Sequence, residues 1–146
     1  MTDDALEEIV ERDLDLMQPS YLEEKTVVSE LLRHALYAAG VVVAAANGEV
    51  AESELAALRT LLGSDPVASS PDVAGARKTL EAKLPEVARV PLALRAQLLQ
   101  HLTIVAAADG SVEPCELAVL HGVAGKIGVP LDVIAQTLAG AAAPMD

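Results

Sequence analysis

Residues 42–63 and 104–125 carry two copies of one pattern, offset by 62 positions. The first reads VVAAANGEVAESELAALRTLLG and the second IVAAADGSVEPCELAVLHGVAG, identical at 11 of 22 positions. Alanine-rich composition accounts for the matches at 44–46. It does not account for Gly48 with Gly110, Val50 with Val112, or Glu54-Leu55 with Glu116-Leu117. Each copy is an apolar helical stretch, then Ala-Ala-Ala-Asn/Asp-Gly, a hydrophobic stop, and a second helix opening on Glu-Leu. Asn, Asp and Gly tolerate the left-handed backbone that a tight helix-to-helix turn needs. Two such units predict two helical hairpins packed with pseudo-twofold symmetry into one bundle.

The rest of the chain reads as helix too, because Ala and Leu dominate and Val/Ile/Thr alternation is scarce. An acidic leader, residues 1–19, spaces Leu6, Ile9, Val10, Leu14 and Met17 at helical intervals and stops at Pro19. Ser20 with Glu23 forms the pattern of a reciprocal cap for a helix reaching about Ala46. Gly40 lies inside that helix at a cost of about 1 kcal/mol against Ala, which close approach of another helix would explain. Further helices are expected over 52–62, 77–84 (stopped by Pro85, with an earlier start at Pro71 left open in the 64–76 loop), 91–108, 114–127 and 130–139. The expectation is an all-α bundle of seven or eight helices: the leader, a domain over 20–140, and a frayed tail over 141–146. Its 146 residues suffice for a single core burying about 70% of the unfolded surface.

Charge narrows the function classes. There are 22 acids against 10 bases, a formal net charge of −12. Residues 1–30 contribute ten acids and two bases, or −8. Windows 47–54 and 109–116 add six acids and no base, or −6, so everything else sums to +2. Such a chain is poorly suited to a nucleic-acid backbone or an anionic membrane surface. The longest apolar run, Leu36 to Ala46, is 11 residues, where a membrane span needs about 20. The acidic N-terminus lacks the basic start of a secretory signal, and the lone Cys115 forms neither an internal disulfide nor a zinc spacing. These features point to a cytoplasmic protein without direct membrane insertion.

The acids of the two windows are the candidate site. Asp109, Glu113 and Glu116 lie within eight residues of one another, and Asn47, Glu49, Glu52 and Glu54 form the matching set. Hard divalent cations such as Ca²⁺ or Mg²⁺ take several oxygens from carboxylates, amides and carbonyls. The spacing does not match an EF-hand loop. The same residues also have an architectural reading, with Asn/Asp-Gly as the turn and Glu54 and Glu116 as third-position helix acids favoured by the dipole. The usual cap is missing, since Ala51 and Glu113 stand at the expected cap positions. His34, His101 and His121 read as helix-surface imidazoles, although His101 and Asp109 fall near one helical face. Cys115 opens a helix, where the dipole favours a thiolate, but Glu113 and Glu116 oppose it and its counterpart is Ser53. There is no nucleophile elbow, P-loop, dinucleotide fingerprint, HExxH or CxxC, so neither catalytic nor cofactor-binding residues are assigned.

The pattern A-D-G-x-hydrophobic-x-x-x-E-L, twice in register in an all-helical chain of this length, resembles the TerB family of tellurite-resistance proteins. The likeness covers Leu36 to Gly128 well and the last helix loosely, and leaves the leader outside. The N-terminal region of the DjlA co-chaperones has the same helical fold, but no HPD signature of a J-domain is present. The resemblance implies a non-catalytic domain associated with stress and tellurite resistance, with an acidic metal-binding surface. By position its motif acids are Asp109, Glu54 and Glu116, and the chain departs at Asn47, where the first copy would carry Asp. Two functions are expected to compete: an acidic cation-binding surface, and a protein–protein adaptor in which the leader or a helical groove docks a protein partner.

Overall fold

A computed structural model of the chain describes residues 19–63 and 71–142, with side-chain surroundings for 27–63 and 71–140. The described residues form six helices and no strand: α1 (Pro19–Ala44), α2 (Glu52–Leu62), α3 (Val73–Val87), α4 (Leu92–Ala106), α5 (Pro114–Ile127) and α6 (Asp132–Ala142). The leader, counted in the expected seven or eight helices, lies outside the described residues but for Pro19. Residues 1–30 and 31–146 are two compact units. Of the first, the described part is the opening of α1, where Val27 is exposed.

In the second unit α4 is the hub, packing against α2, α5 and α6, while α3 packs on α5. The reason is composition. Leu98, Leu99, Leu102, Val105 and Ala106 of α4 are buried, so apolar side chains leave it in several directions. Around it lie Leu55, Leu58 and Leu62 of α2, Leu80, Leu84 and Val87 of α3, Leu120, Val123 and Ile127 of α5, and Ile134 of α6. The stretch Val27–Ala44 has the length and composition of a membrane span, contrary to the sequence expectation, which weighed only its uninterrupted run. Here that apolarity goes into the core: Ala35, Leu36, Ala38, Ala39 and Val41 to Ala44 are all buried.

Gly40 belongs to this contact. A Cβ there would lie 2.7 Å from both Cδ atoms of Leu58, which is itself fully buried. The expected close approach is that of α2 to α1, and any side chain at position 40 would have to push the buried Leu58 aside.

Helix α1 already starts at Pro19, so Ser20 is a helical residue and not its cap, α6 spans Asp132–Ala142 against the expected 130–139, and both ends of α3 differ from 77–84. Helix α3 begins at Val73, close to the start at Pro71 that the sequence leaves open, because Asp72 caps it: the Gly75 N–H donates to Asp72 Oδ1 at 2.9 Å. It also runs through Pro85 to Val87. The proline removes one N–H, but Leu80, Leu84 and Val87 bury on one face and hold the last turn in place. The Ala88 N–H then donates to the Leu84 carbonyl at 2.9 Å.

Candidate functional site

Both copies of the motif build the same turn. The Ala45 and Ala107 N–H groups donate four residues back, to Val41 and Thr103, at 3.1 and 3.0 Å. Those of Gly48 and Gly110 donate to Ala45 and Ala107 at 3.0 and 2.9 Å. Gly48 has φ 94° and Gly110 φ 97°, backbone that an L-residue adopts only with strain. Asn47 Oδ1 accepts from the Glu49 N–H at 3.1 Å, as Asp109 Oδ1 does from the Ser111 N–H at 3.2 Å. These short side chains mimic a backbone turn, which is why either amide or acid serves.

Past the turn the copies part. In the second, the Glu113 N–H donates to Glu116 Oε1 at 2.9 Å. Glu116 thus reaches back to the start of its own helix while the Glu113 side chain accepts from the Glu116 N–H, a complete capping box, so Glu113 supplies the cap that the sequence seemed to lack there. In the first, the corresponding Ala51 N–H is already spent on the Ala44 carbonyl at 3.0 Å. Glu54 therefore has no cap to make. Its side chain is 1% exposed, and Oε2 is buried without a hydrogen-bond partner.

That orphaned carboxyl lies against the other copy. Glu54 meets Glu116, itself 3% exposed, and feels the charges of Asp109 and Glu113. Burial first, then the hydrogen bond and repulsion of Glu116, then repulsion from Asp109 and Glu113, push the Glu54 carboxyl up from 4.5 to about 9. All these influences act in one direction. Two carboxylates cannot hydrogen-bond each other, since neither has a donor. A proton on Glu54, whose carboxyl is pushed up to about 9, supplies one and is held near neutral pH.

Asn47 closes the rim. Its Nδ2 donates to Glu113 Oε2 at 3.2 Å, a bond between the turn of one copy and the helix start of the other. The same carboxylate oxygen accepts from Cys115 Sγ at 3.7 Å. Five of the seven residues singled out in the sequence therefore gather: Asn47, Glu54, Asp109, Glu113 and Glu116. Glu52 is engaged elsewhere, its Oε1 2.6 Å from the Arg59 guanidinium one face along α2. That base lies outside the sequence window that seemed to lack one. Glu49 is exposed, and its backbone N–H serves the turn. His101 is half-buried on α4, while His34 and His121 are exposed.

The donor set is all oxygen from the carboxylates, with no cation among the groups acting on Glu54. An orphaned buried carboxylate oxygen beside a second buried glutamate is the chemistry a hard divalent cation would use. Among the described residues, no three His, Cys, Asp or Glu side chains already converge in metal-holding geometry. A cation would thus have to draw the exposed Asp109 and Glu113 inward.

Two functional groups of the same frame were missed in the sequence. Arg33 Nη2 donates to the Leu62 carbonyl at 2.9 Å, and Arg95 Nη1 to the Ile127 carbonyl at 2.7 Å. Each arginine, on the first helix of a hairpin, satisfies the open end of the second. They are 62 residues apart, so carrying the repeat alignment nine residues upstream pairs them, together with Leu36 and Leu98.

No curated protein and no solved structure is matched by the chain. A family model does match, that of Tellurite resistance protein TerB, over residues 33–137. That stretch takes in both copies of the motif, both arginines and the whole carboxyl cluster, and spans well over half of the sequence. The chain belongs to the TerB family.

Proposed function

We propose that the domain is a non-catalytic, tellurite-resistance-associated cation-binding module, in which the two pseudo-symmetric hairpins share one divalent-cation site. Ca²⁺ or Mg²⁺ would exchange for the proton on Glu54 beside Glu116 and take further oxygens from Asp109 and Glu113. The observation that carries this reading is the buried Oε2 of Glu54, without a hydrogen-bond partner beside Glu116 and with no base among the groups acting on Glu54. A carboxylic acid that must lose its proton to bind makes the site weaker at low pH and releases a proton on loading. The setting is taken to be the cytoplasm.

Thermal unfolding with Ca²⁺, Mg²⁺, Mn²⁺ and Zn²⁺ tests it, since an ion bound to the native state raises the midpoint with ligand excess. A rise that disappears in Asp109→Asn/Glu116→Gln supports the site. No shift with any ion at about 10 mM, roughly tenfold or more above the dissociation constants of extracellular-type oxygen sites, sinks it. The competing adaptor reading draws on the exposure of Leu92 and Leu131, each 51% exposed. It predicts that deleting residues 1–19 abolishes capture of a protein partner while cations change nothing.

A further inference from the structure

Asn47 is where the chain departs from an acid in its first copy, and the structure gives the departure a use. Its amide is held from both ends. Oδ1 accepts from the Glu49 N–H at 3.1 Å, which fixes that oxygen inside its own turn. The fixed oxygen leaves the NH₂ facing outward, and it donates to Glu113 Oε2 at 3.2 Å across the two copies. Asn47 thus offers the acidic cluster a donor. It does not offer the oxygen that a ligand would need.

We infer that Asn47 is a positioning residue, which keeps Glu113 of the second copy at the rim of the buried Glu54–Glu116 pair, from where a cation can draw it in, and so makes one lopsided cation site instead of two equivalent ones. The inference rests on the cation reading above, and its second leg is the Glu54 Oε2, buried without a hydrogen-bond partner on a carboxyl that interacts with Glu116, Asp109 and Glu113. The charges present are Glu54, Asp109, Glu113 and Glu116, and Asn47 is the side-chain donor that meets them from the turn after α1. An aspartate at 47 would keep the turn, because a carboxylate oxygen accepts from the Glu49 N–H as well as an amide oxygen does. It would replace the donor facing Glu113 with a like charge. Glu113, exposed and held besides by the Cys115 thiol and by its place in the α5 capping box, would lose the contact that ties it to the first copy.

The test is calorimetric titration of the full chain with CaCl₂ and, separately, MgCl₂, on four proteins: wild type, Asn47→Asp, Glu113→Gln and Asn47→Asp/Glu113→Gln. The positioning role predicts about tenfold weaker binding for Asn47→Asp, the equivalent of one lost charge-assisted hydrogen bond. This occurs although the variant carries one more negative charge. The double variant restores the bond with its polarity reversed and the wild-type charge, and binds more tightly than either single variant. A purely structural loss would instead lower the unfolding midpoint in EDTA, which Asn47→Asp leaves within a few degrees of wild type because the turn survives. If Asn47→Asp binds either ion as tightly as wild type or more so, Asn47 is only a weak ligand and the inference is overturned while the cation site stands. If wild type gives no heat with either ion, the cation reading itself falls and takes the inference with it.

Discussion

Replacing Glu54 by glutamine isolates the proton held in the carboxyl cluster. The Glu54 carboxyl rises from 4.5 to about 9 on folding, through burial first and then the Glu116, Asp109 and Glu113 carboxyls. Between those two values the folded chain holds a proton there and the unfolded chain does not. Stability from this group is therefore fully present below about pH 4.5 and is lost as the pH climbs toward about 9. The limiting slope is about 1.4 kcal/mol per pH unit, so raising the pH from 5 to 8 removes at most about 4 kcal/mol. The exposed Asp109 and Glu113 at the rim are screened by solvent, and half of that limit, about 2 kcal/mol, is expected. Glutamine is nearly isosteric with the protonated acid and donates to Glu116 without titrating. Urea unfolding in EDTA at pH 5, 6, 7 and 8 should find Glu54→Gln equal to wild type at pH 5 and progressively more stable above it. The remaining carboxylates and the three histidines are common to both proteins and cancel in the difference. A stability difference that stays constant with pH to within about 0.5 kcal/mol, the ordinary error of such comparisons, would refute a proton held on Glu54.

Four other substitutions test the frame that brings the cluster together. Gly40→Ala gains about 1 kcal/mol of helix propensity but forces a methyl to within 2.7 Å of the fully buried Leu58. A net loss of about 1 kcal/mol is expected, relieved in Gly40→Ala/Leu58→Val, and a raised unfolding midpoint in the single variant would count against the close contact. Gly110→Ala meets nothing within 4 Å yet must adopt φ 97°, so it should lose about 1–2 kcal/mol to backbone strain alone. Gly122→Ala is its control, on an exposed face of α5 with open space around it, and denaturant unfolding should show about 0.5–1 kcal/mol gained. Arg95→Met keeps the aliphatic stem but leaves the Val90 and Ile127 carbonyls without the guanidinium, each 2.7 Å away. It should lose about 1–2 kcal/mol and speed amide exchange at the end of α5 before elsewhere, an order that global unfolding would not produce.

The turns were legible in the sequence because their causes are local. Gly48 and Gly110 announce positive φ, and Asn47 and Asp109 announce a side chain folded back on the next backbone N–H. The Gly40 contact was legible as a helix residue whose cost demanded a neighbour, though not which one. Boundaries set by tertiary burial were not. Nothing near Pro85 tells that Leu84 and Val87 carry the helix past it, since that depends on what α3 packs against. The membership of the site was half legible. Spacing marked the seven polar positions, but only the packing decides that Glu52 turns to Arg59 while Glu54 turns inward.

What sequence identity between the copies conceals is the difference that gives the cluster its chemistry. Glu54 and Glu116 occupy the same position of the same motif, yet one finishes a helix cap and the other does not. The cause lies three residues upstream, where the Ala51 N–H is taken by the Ala44 carbonyl and the Glu113 N–H is left for Glu116. Were both copies to cap their own helices, each glutamate would be satisfied within its hairpin, and no carboxyl would remain over for its counterpart. Because one turn closes on itself, a carboxyl is released into the space between the copies, and it can be satisfied there only by a proton or by a cation. If the proposed cation site is real, this asymmetry makes it one site shared by the two copies, and restoring symmetry, for instance through an acid at position 47, should weaken it.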